Sequence, residues 1–101
     1  MIDIKWIYER IKSEKYYFSG HADNEKQNES IEIAEIEQAI LKGRIIEQYQ
    51  DTGRGESCLV AGFSENGKPI HTVCGIRGEW LVIITVYIPK PPKFKTLYER
   101  R

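Results

Sequence analysis

LVAGFSENGKPIHTVCGI, residues 59–76, decides the fold. Apolar and β-branched residues flank Asn66-Gly67, and two central residues that tolerate positive φ favour a tight hairpin between antiparallel strands. If Glu65 faces Lys68 across a two-residue type I′ turn, Phe63 stands opposite Ile70, Gly62 opposite His71, Leu59 opposite Cys74 and Cys58 opposite Gly75. Side chains alternate along a strand, so Cys58 and Cys74 then point to opposite faces and no disulfide is expected. The next run, WLVIITVYIP at 80–89, is apolar on both faces, as in a central strand covered on both sides or at a subunit contact. Pro89, Pro91 and Pro92 end it, because proline has no N–H to give to a ladder, and KFKTLYERR at 93–101 is read as one short closing helix.

Upstream of the hairpin the period changes. Ile4, Ile7, Tyr8 and Ile11 follow the stripe of one helical face with Asp3 placed to cap it, which predicts a helix over 3–14. Tyr16, Tyr17 and Phe18 form a short strand that stops at Ser19-Gly20-His21. The segment 22–30 is polar and has no stripe, so at most a short exposed helix or loop is expected. Ile33, Ile36, Ala39 and Ile40 restart the helical period and predict a helix over 32–42, with Glu32, Glu35 and Glu37 outward and Gly43 as its stop. β-formers follow at 44–50, and DTGRG at 51–55 reads as a loop. The order predicts a single α+β domain over 1–101, with two main helices packed on a curved antiparallel sheet of about four to five strands.

With 101 residues, 41% of them apolar, the chain has material for one core and not for two domains. No apolar run reaches the roughly 18 residues of a membrane span, and the opening MIDIKWIYER is charged where a signal peptide is apolar. A cytoplasmic protein without membrane contact is therefore expected. Cys58 and Cys74 are too few and wrongly spaced for a zinc site, and neither a metal nor a cofactor is expected. The 15 basic and 15 acidic side chains balance, but residues 1–51 carry 11 acids against 7 bases while residues 52–101 carry 4 against 8. That asymmetry excludes a wholly basic nucleic-acid binder and leaves room for a local basic face.

FSGHA at 18–22, EIEQAILKGRIIEQY at 35–49, LVAGF at 59–63, GKPIHTVCG at 67–75 and IITVYIP at 83–89 together resemble the small bacterial family named domain of unknown function 4258. The resemblance covers about residues 16–92. That family is similar to the RelE-like toxins, and the resemblance implies a RelE-like α+β fold, RNA cleavage and a small antitoxin protein as partner. This chain has Glu25 where relatives commonly place a basic residue shortly after the His-Ala pair.

Metal-independent RNA cleavage needs a base for the ribose 2′ proton, an acid for the leaving oxygen and cations for the phosphorane charge. Histidine serves either proton-transfer role near neutral pH, and the chain has two, His21 and His71. His21 is the candidate general base or acid and His71 its partner or positioner. Tyr87 is a candidate to hydrogen-bond a phosphate or stack on a base. Arg54, Arg77, Lys90 and Lys93 are candidates to hold RNA. No glycine-rich phosphate loop, HExxH motif or paired-carboxylate arrangement is present. Two other functions fit the same residues: a protein-binding module with structural histidines, and a homodimer joined through the apolar side of WLVIITVYIP.

Overall fold

The computed structural model describes residues 1–50, 53, 55–90, 97 and 98. It is an α+β arrangement of α1 (Ile4–Lys12), β1 (Tyr16–Phe18), α2 (Gly20–Asn28), α3 (Ile33–Leu41), β2 (Arg44–Tyr49), β3 (Ser57–Phe63), β4 (Pro69–Arg77) and β5 (Trp80–Tyr87). The strands form one open sheet in the order β1-β5-β4-β3-β2. The sheet is mixed rather than wholly antiparallel as expected, because β1 lies parallel to β5, Tyr17 beside Val82. α2 is the short, mostly exposed helix that the polar stretch allowed, and it starts at Gly20 so that it includes His21. β4 is the middle strand, and β5 lies inside the sheet between β1 and β4.

The hairpin forms at the predicted place in a different register. Ser64 N–H donates to the Lys68 carbonyl and Gly67 N–H to the Ser64 carbonyl, while Lys68 N–H donates to Ser64 Oγ. Three residues, Glu65 to Gly67, therefore form the loop, with Gly67 at φ +84°. This is the three-residue alternative to a two-residue turn, in which glycine takes the left-handed position. The change moves every pair by one: Phe63 faces Pro69, Gly62 faces Ile70, Ala61 faces His71 and Cys58 faces Cys74. Gly62 does not stand over His71, and the two cysteines share a face. Both are free and buried; burial pushes the Cys58 thiol up to about 12 and the Cys74 thiol well above its ordinary range.

One face of the sheet is covered by helices. Ile7, Ile11, Ile36, Ala39 and Ile40 pack with Cys58, Val60, Ile70, Cys74, Leu81, Ile83 and Val86 in one cluster. The two-sided apolar run of β5 has a local cause. Pairing passes from Val73–Thr85 to Cys74–Ile83, leaving Ile84 as an extra residue, so the inward phase switches and Ile83 and Val86 both reach the helix-side core. α3 approaches the sheet through glycine: a Cβ on Gly62 would stand 2.0 Å from the Ala39 carbonyl oxygen, and one on Gly43 2.5 Å from the same atom. The opposite face buries Leu59, Ala61 and His71 completely.

The acidic side of α3 is only partly solvated. Glu35, expected outward, is 8% exposed. Its carboxylate accepts from the Glu32 amide at 2.9 Å, from Asn66 Nδ2 at 2.9 Å and from Lys68 Nζ at 3.0 Å, tying the start of α3 to the hairpin tip. The Glu32 amide foremost, with Lys68 and Asn66 beside it, holds this carboxyl down at about 2 against an ordinary 4.5. Ile33, expected in the core, is 48% exposed instead, because the face of α3 that meets the sheet runs through Ile36, Ala39 and Ile40.

Two outcomes follow for stability. Gly62→Ala forces α3 away from β3 and lowers unfolding free energy by about 2 kcal/mol or more, read from the urea midpoint. Because the folded Glu35 carboxyl titrates below the unfolded one, its contribution is present above pH 4.5 and is lost as the pH falls toward 2. The parent's urea midpoint therefore drops more steeply over that window than that of Glu35→Gln, and equal slopes would show that Glu35 is not the group responsible.

Candidate functional site

Ser19 starts the construction. β1 ends at Phe18; Ser19 N–H donates to the Ile83 carbonyl and its hydroxyl to the Ile84 carbonyl at 2.8 Å. The same Oγ accepts from Ala22 N–H at 3.1 Å, so Ser19 is the N-cap of α2. One residue thus closes the parallel strand and opens the helix, and α2 runs along the side of β5 that β1 has vacated. There its carboxylates replace the missing strand. Glu25 Oε1 accepts from Val86 N–H at 3.1 Å and from the Thr85 hydroxyl, and Glu29 Oε2 accepts from Ile88 N–H at 2.6 Å. Amides that a strand edge would leave open are satisfied by charge-assisted bonds.

His21 lies in the first turn of α2 with its side chain 70% exposed, Nε2 3.3 Å from Glu25 Oε1. The oxygen that orients the imidazole is the one bound to Thr85 and Val86. Asp23, 54% exposed in the same helix, is paired with Lys26 at 2.9 Å.

His71 sits in a different setting. It faces Tyr87 across β4 and β5, the two rings in edge contact at 5.4 Å between centroids, with Nδ1 3.3 Å from the Tyr87 hydroxyl. Nε2 meets the Leu97 backbone carbonyl. A carbonyl only accepts, so Nε2 carries the proton, and in the neutral ring Nδ1 accepts from the tyrosine. The ring is fully buried. Leu97 is buried with it, and Tyr98 next door is held on the exposed rim of the sheet by an edge contact to Phe63 at 6.4 Å and by the Arg44 guanidinium 4.0 Å over its ring.

These two groups of side chains meet the same short piece of β5. Thr85 and Tyr87 are two residues apart, paired with Val73 and His71, and so share a face. The cationic candidates are less concentrated. Lys90 is exposed three residues beyond Tyr87. Arg77 ends β4 and donates to the Ile76 carbonyl; it lies six residues, about 20 Å, along the strand from His71, too far to touch the same phosphate. Arg54 and Lys93 lie outside the described residues, as does most of the closing segment read as a helix. Three surface concavities, of about 470, 270 and 460 Å³, are lined by α1, by the β2 end and by the α3–hairpin contact, and neither histidine lines them. Among the described residues no group of three or more His, Cys, Asp or Glu is placed to hold a metal ion, and no helix is long and apolar enough to cross a membrane.

Glu25, Thr85 and Leu97 were not among the residues the sequence singled out for a site. The roles of Glu25 and Thr85 depend on an edge that only the folded sheet creates. Leu97 acts through its backbone carbonyl, and its one signal was an apolar pair, Leu97-Tyr98, set in a basic tail.

A family model described as Domain of unknown function (DUF4258) matches residues 18–88. The chain belongs to this family. The matched span begins at Phe18 and ends at Ile88, so the DUF4258 region holds His21, Glu25, His71, Thr85 and Tyr87, while Lys90, Leu97 and Tyr98 follow it. No curated protein and no solved structure gives a significant match to this DUF4258 chain.

Replacing Glu25 tests whether a carboxylate does the work of a strand. Glu25→Ala leaves the Val86 amide and the Thr85 hydroxyl without their partner and costs about 1–3 kcal/mol. Amide hydrogen exchange at Val86 accelerates by more than any change at Val60 in the sheet interior. Unchanged exchange at Val86 would show that the edge is protected by other means.

Proposed function

We propose that this DUF4258 protein is a metal-independent endoribonuclease of the toxin kind, similar to the RelE-like toxins, with a small antitoxin protein as partner. One observation carries the reading: two histidines from opposite halves of the chain converge on residues 85–87 of β5, His21 through Glu25 and His71 through Tyr87. The two proton-transfer groups that RNA cleavage needs are thereby tied to one strand, Tyr87 as a member of β5 and His21 from α2 through Glu25.

In this arrangement His21, oriented by Glu25, takes the ribose 2′ proton. The O2′–P bond forms as the P–O5′ bond breaks, and the departing 5′ oxygen gains the proton of Tyr87, whose hydroxyl turns from His71 Nδ1 to the leaving oxygen. Lys90 supplies positive charge to the phosphorane. The products are a 2′,3′-cyclic phosphate and a free 5′ hydroxyl, and His21 and Tyr87 exchange protons with water to return to their starting forms.

A second reading, a binding module without catalysis, is favoured by the complete burial of His71 beneath Leu97, since a buried imidazole bonded on both nitrogens is also a structural fixture. The homodimer reading draws less support. Its motive was uncovered apolar surface beside β5, and Leu97 and Tyr98 return to that face of the sheet within one chain.

The discriminating measurement is cleavage of a synthetic RNA with analysis of the new ends, with and without ribosomes. The ribonuclease reading expects cyclic phosphate ends and a loss of about 100-fold or more in rate for His21→Ala, with folding intact because the side chain is exposed. RNA left whole by the full chain with and without ribosomes, with growth arrest that persists in His21→Ala cells, would decide against catalysis.

A further inference from the structure

The tip of the β3–β4 hairpin carries a reactive pair that stands apart from the histidines. Asn66 is followed by Gly67, whereas the other asparagines, Asn24 and Asn28, precede Glu25 and Glu29. We propose that Asn66 is a site of enzyme-free covalent modification, at which the side-chain amide becomes a carboxylate through the Gly67 nitrogen, and that Glu35 both restrains this reaction and responds to its product.

The reaction needs only water. The Gly67 backbone nitrogen bonds to Asn66 Cγ and gives up its proton, while the Cγ–Nδ2 bond breaks and that nitrogen leaves with the proton as ammonia. Water then opens the five-membered imide at either carbonyl, giving aspartate or its isomer linked through the side chain. Glycine favours the first step, because a Cβ on the attacking residue crowds the closing ring. The surroundings are open too: nothing stands within 4 Å of where a Cβ of Gly67 would be. Both residues are exposed, and Asn66 lines the surface concavity of about 460 Å³ between α3 and the hairpin. Asn24 and Asn28 belong to α2, where side chains tilt toward the helix N-terminus, away from the nitrogen that follows.

Two contacts hold the reactive amide. A carboxylate only accepts, so the Asn66 NH2 group faces Glu35 Oε2 at 2.9 Å, and its carbonyl oxygen takes the Ser64 hydroxyl. The attacking nitrogen is engaged as well, donating to the Ser64 carbonyl at 2.9 Å. Glu35 thus restrains rotation of the amide, and reaction requires the tip to open locally.

The product reverses the sign of the same contact. An oxygen replaces Nδ2, and two carboxylates then meet at a place where Glu35 is only 8% exposed. Lys68 Nζ, 3.0 Å from Glu35, offsets one of the two charges. Like charges repel more strongly where water is scarce, so the Asn66 tie between the tip and the start of α3 is lost. The Glu65 amide still donates to Gln38 Oε1 at 2.9 Å.

The test incubates the full chain, folded, at mildly alkaline pH and measures conversion at each asparagine by peptide mass spectrometry, with Asn24 and Asn28 as references in the same molecule. Asn66 is expected to convert at least about tenfold faster than either, and Glu35→Ala to speed it about tenfold further, since one charged hydrogen bond is removed. The response to the product is read separately. Asn66→Asp lowers the urea midpoint in the parent and has a smaller effect in a Glu35→Gln background. That comparison decides the part played by Glu35 if Glu35→Ala fails to fold by circular dichroism.

Conversion at Asn66 no faster than at Asn24 and Asn28 overturns the site. An Asn66 rate unchanged in folded Glu35→Ala, or a midpoint drop equal in the two backgrounds, overturns the role of Glu35. A faster Asn66 that Glu35→Ala accelerates, with the larger drop in the parent, supports both.

Discussion

The candidate site depends on how β5 is completed along its outer edge. β1 pairs with it only from Leu81 to Ile83, and beyond that point the strand would offer bare amides to solvent or to another sheet. Glu25 and Glu29 take them, at Val86 and Ile88. A helix with almost no apolar content is thereby fixed to the sheet by polar bonds, with Ala22 its one buried residue. The position of His21 is a by-product of that attachment: α2 must lie where its carboxylates reach β5, and His21, one turn before Glu25, goes with it.

This explains which parts of the fold were legible in the sequence. α1 and α3 bury Ile7, Ile11, Ile36, Ala39 and Ile40, so hydrophobic period announced them almost to the residue. α2 buries one alanine, and a reading built on apolar spacing has nothing there to detect. Glu25 was noticed only as a departure in charge, and its structural use cannot be read before the sheet has an edge. The parallel pairing of β1 was hidden for a similar reason, since three residues of aromatic strand say nothing about direction.

The hairpin shows how a local choice propagates. Asn66-Gly67 suits a two-residue turn, but the Ser64 hydroxyl, accepting from the Lys68 amide, helps close a three-residue loop instead. One residue of slip moved Gly62 from His71 to the α3 side of the sheet, where its lack of a Cβ admits the Ala39 carbonyl. Ala61 instead of Gly62 stands opposite His71, and Leu97 from the far end of the chain meets the imidazole. The pairing of His71 with Tyr87 came from the second hairpin, whose turn glycine, Gly78 at φ +63°, joins Arg77 to Trp80.

The same slip set Cys58 against Cys74 in the helix-side core, out of reach of solvent and with both thiols resisting ionisation. Thiolate is the reactive form, so under native conditions the protein is chemically silent toward maleimides. A single cysteine placed on an exposed position such as Asn24 would then carry a fluorophore or spin label alone, without removal of the natural pair.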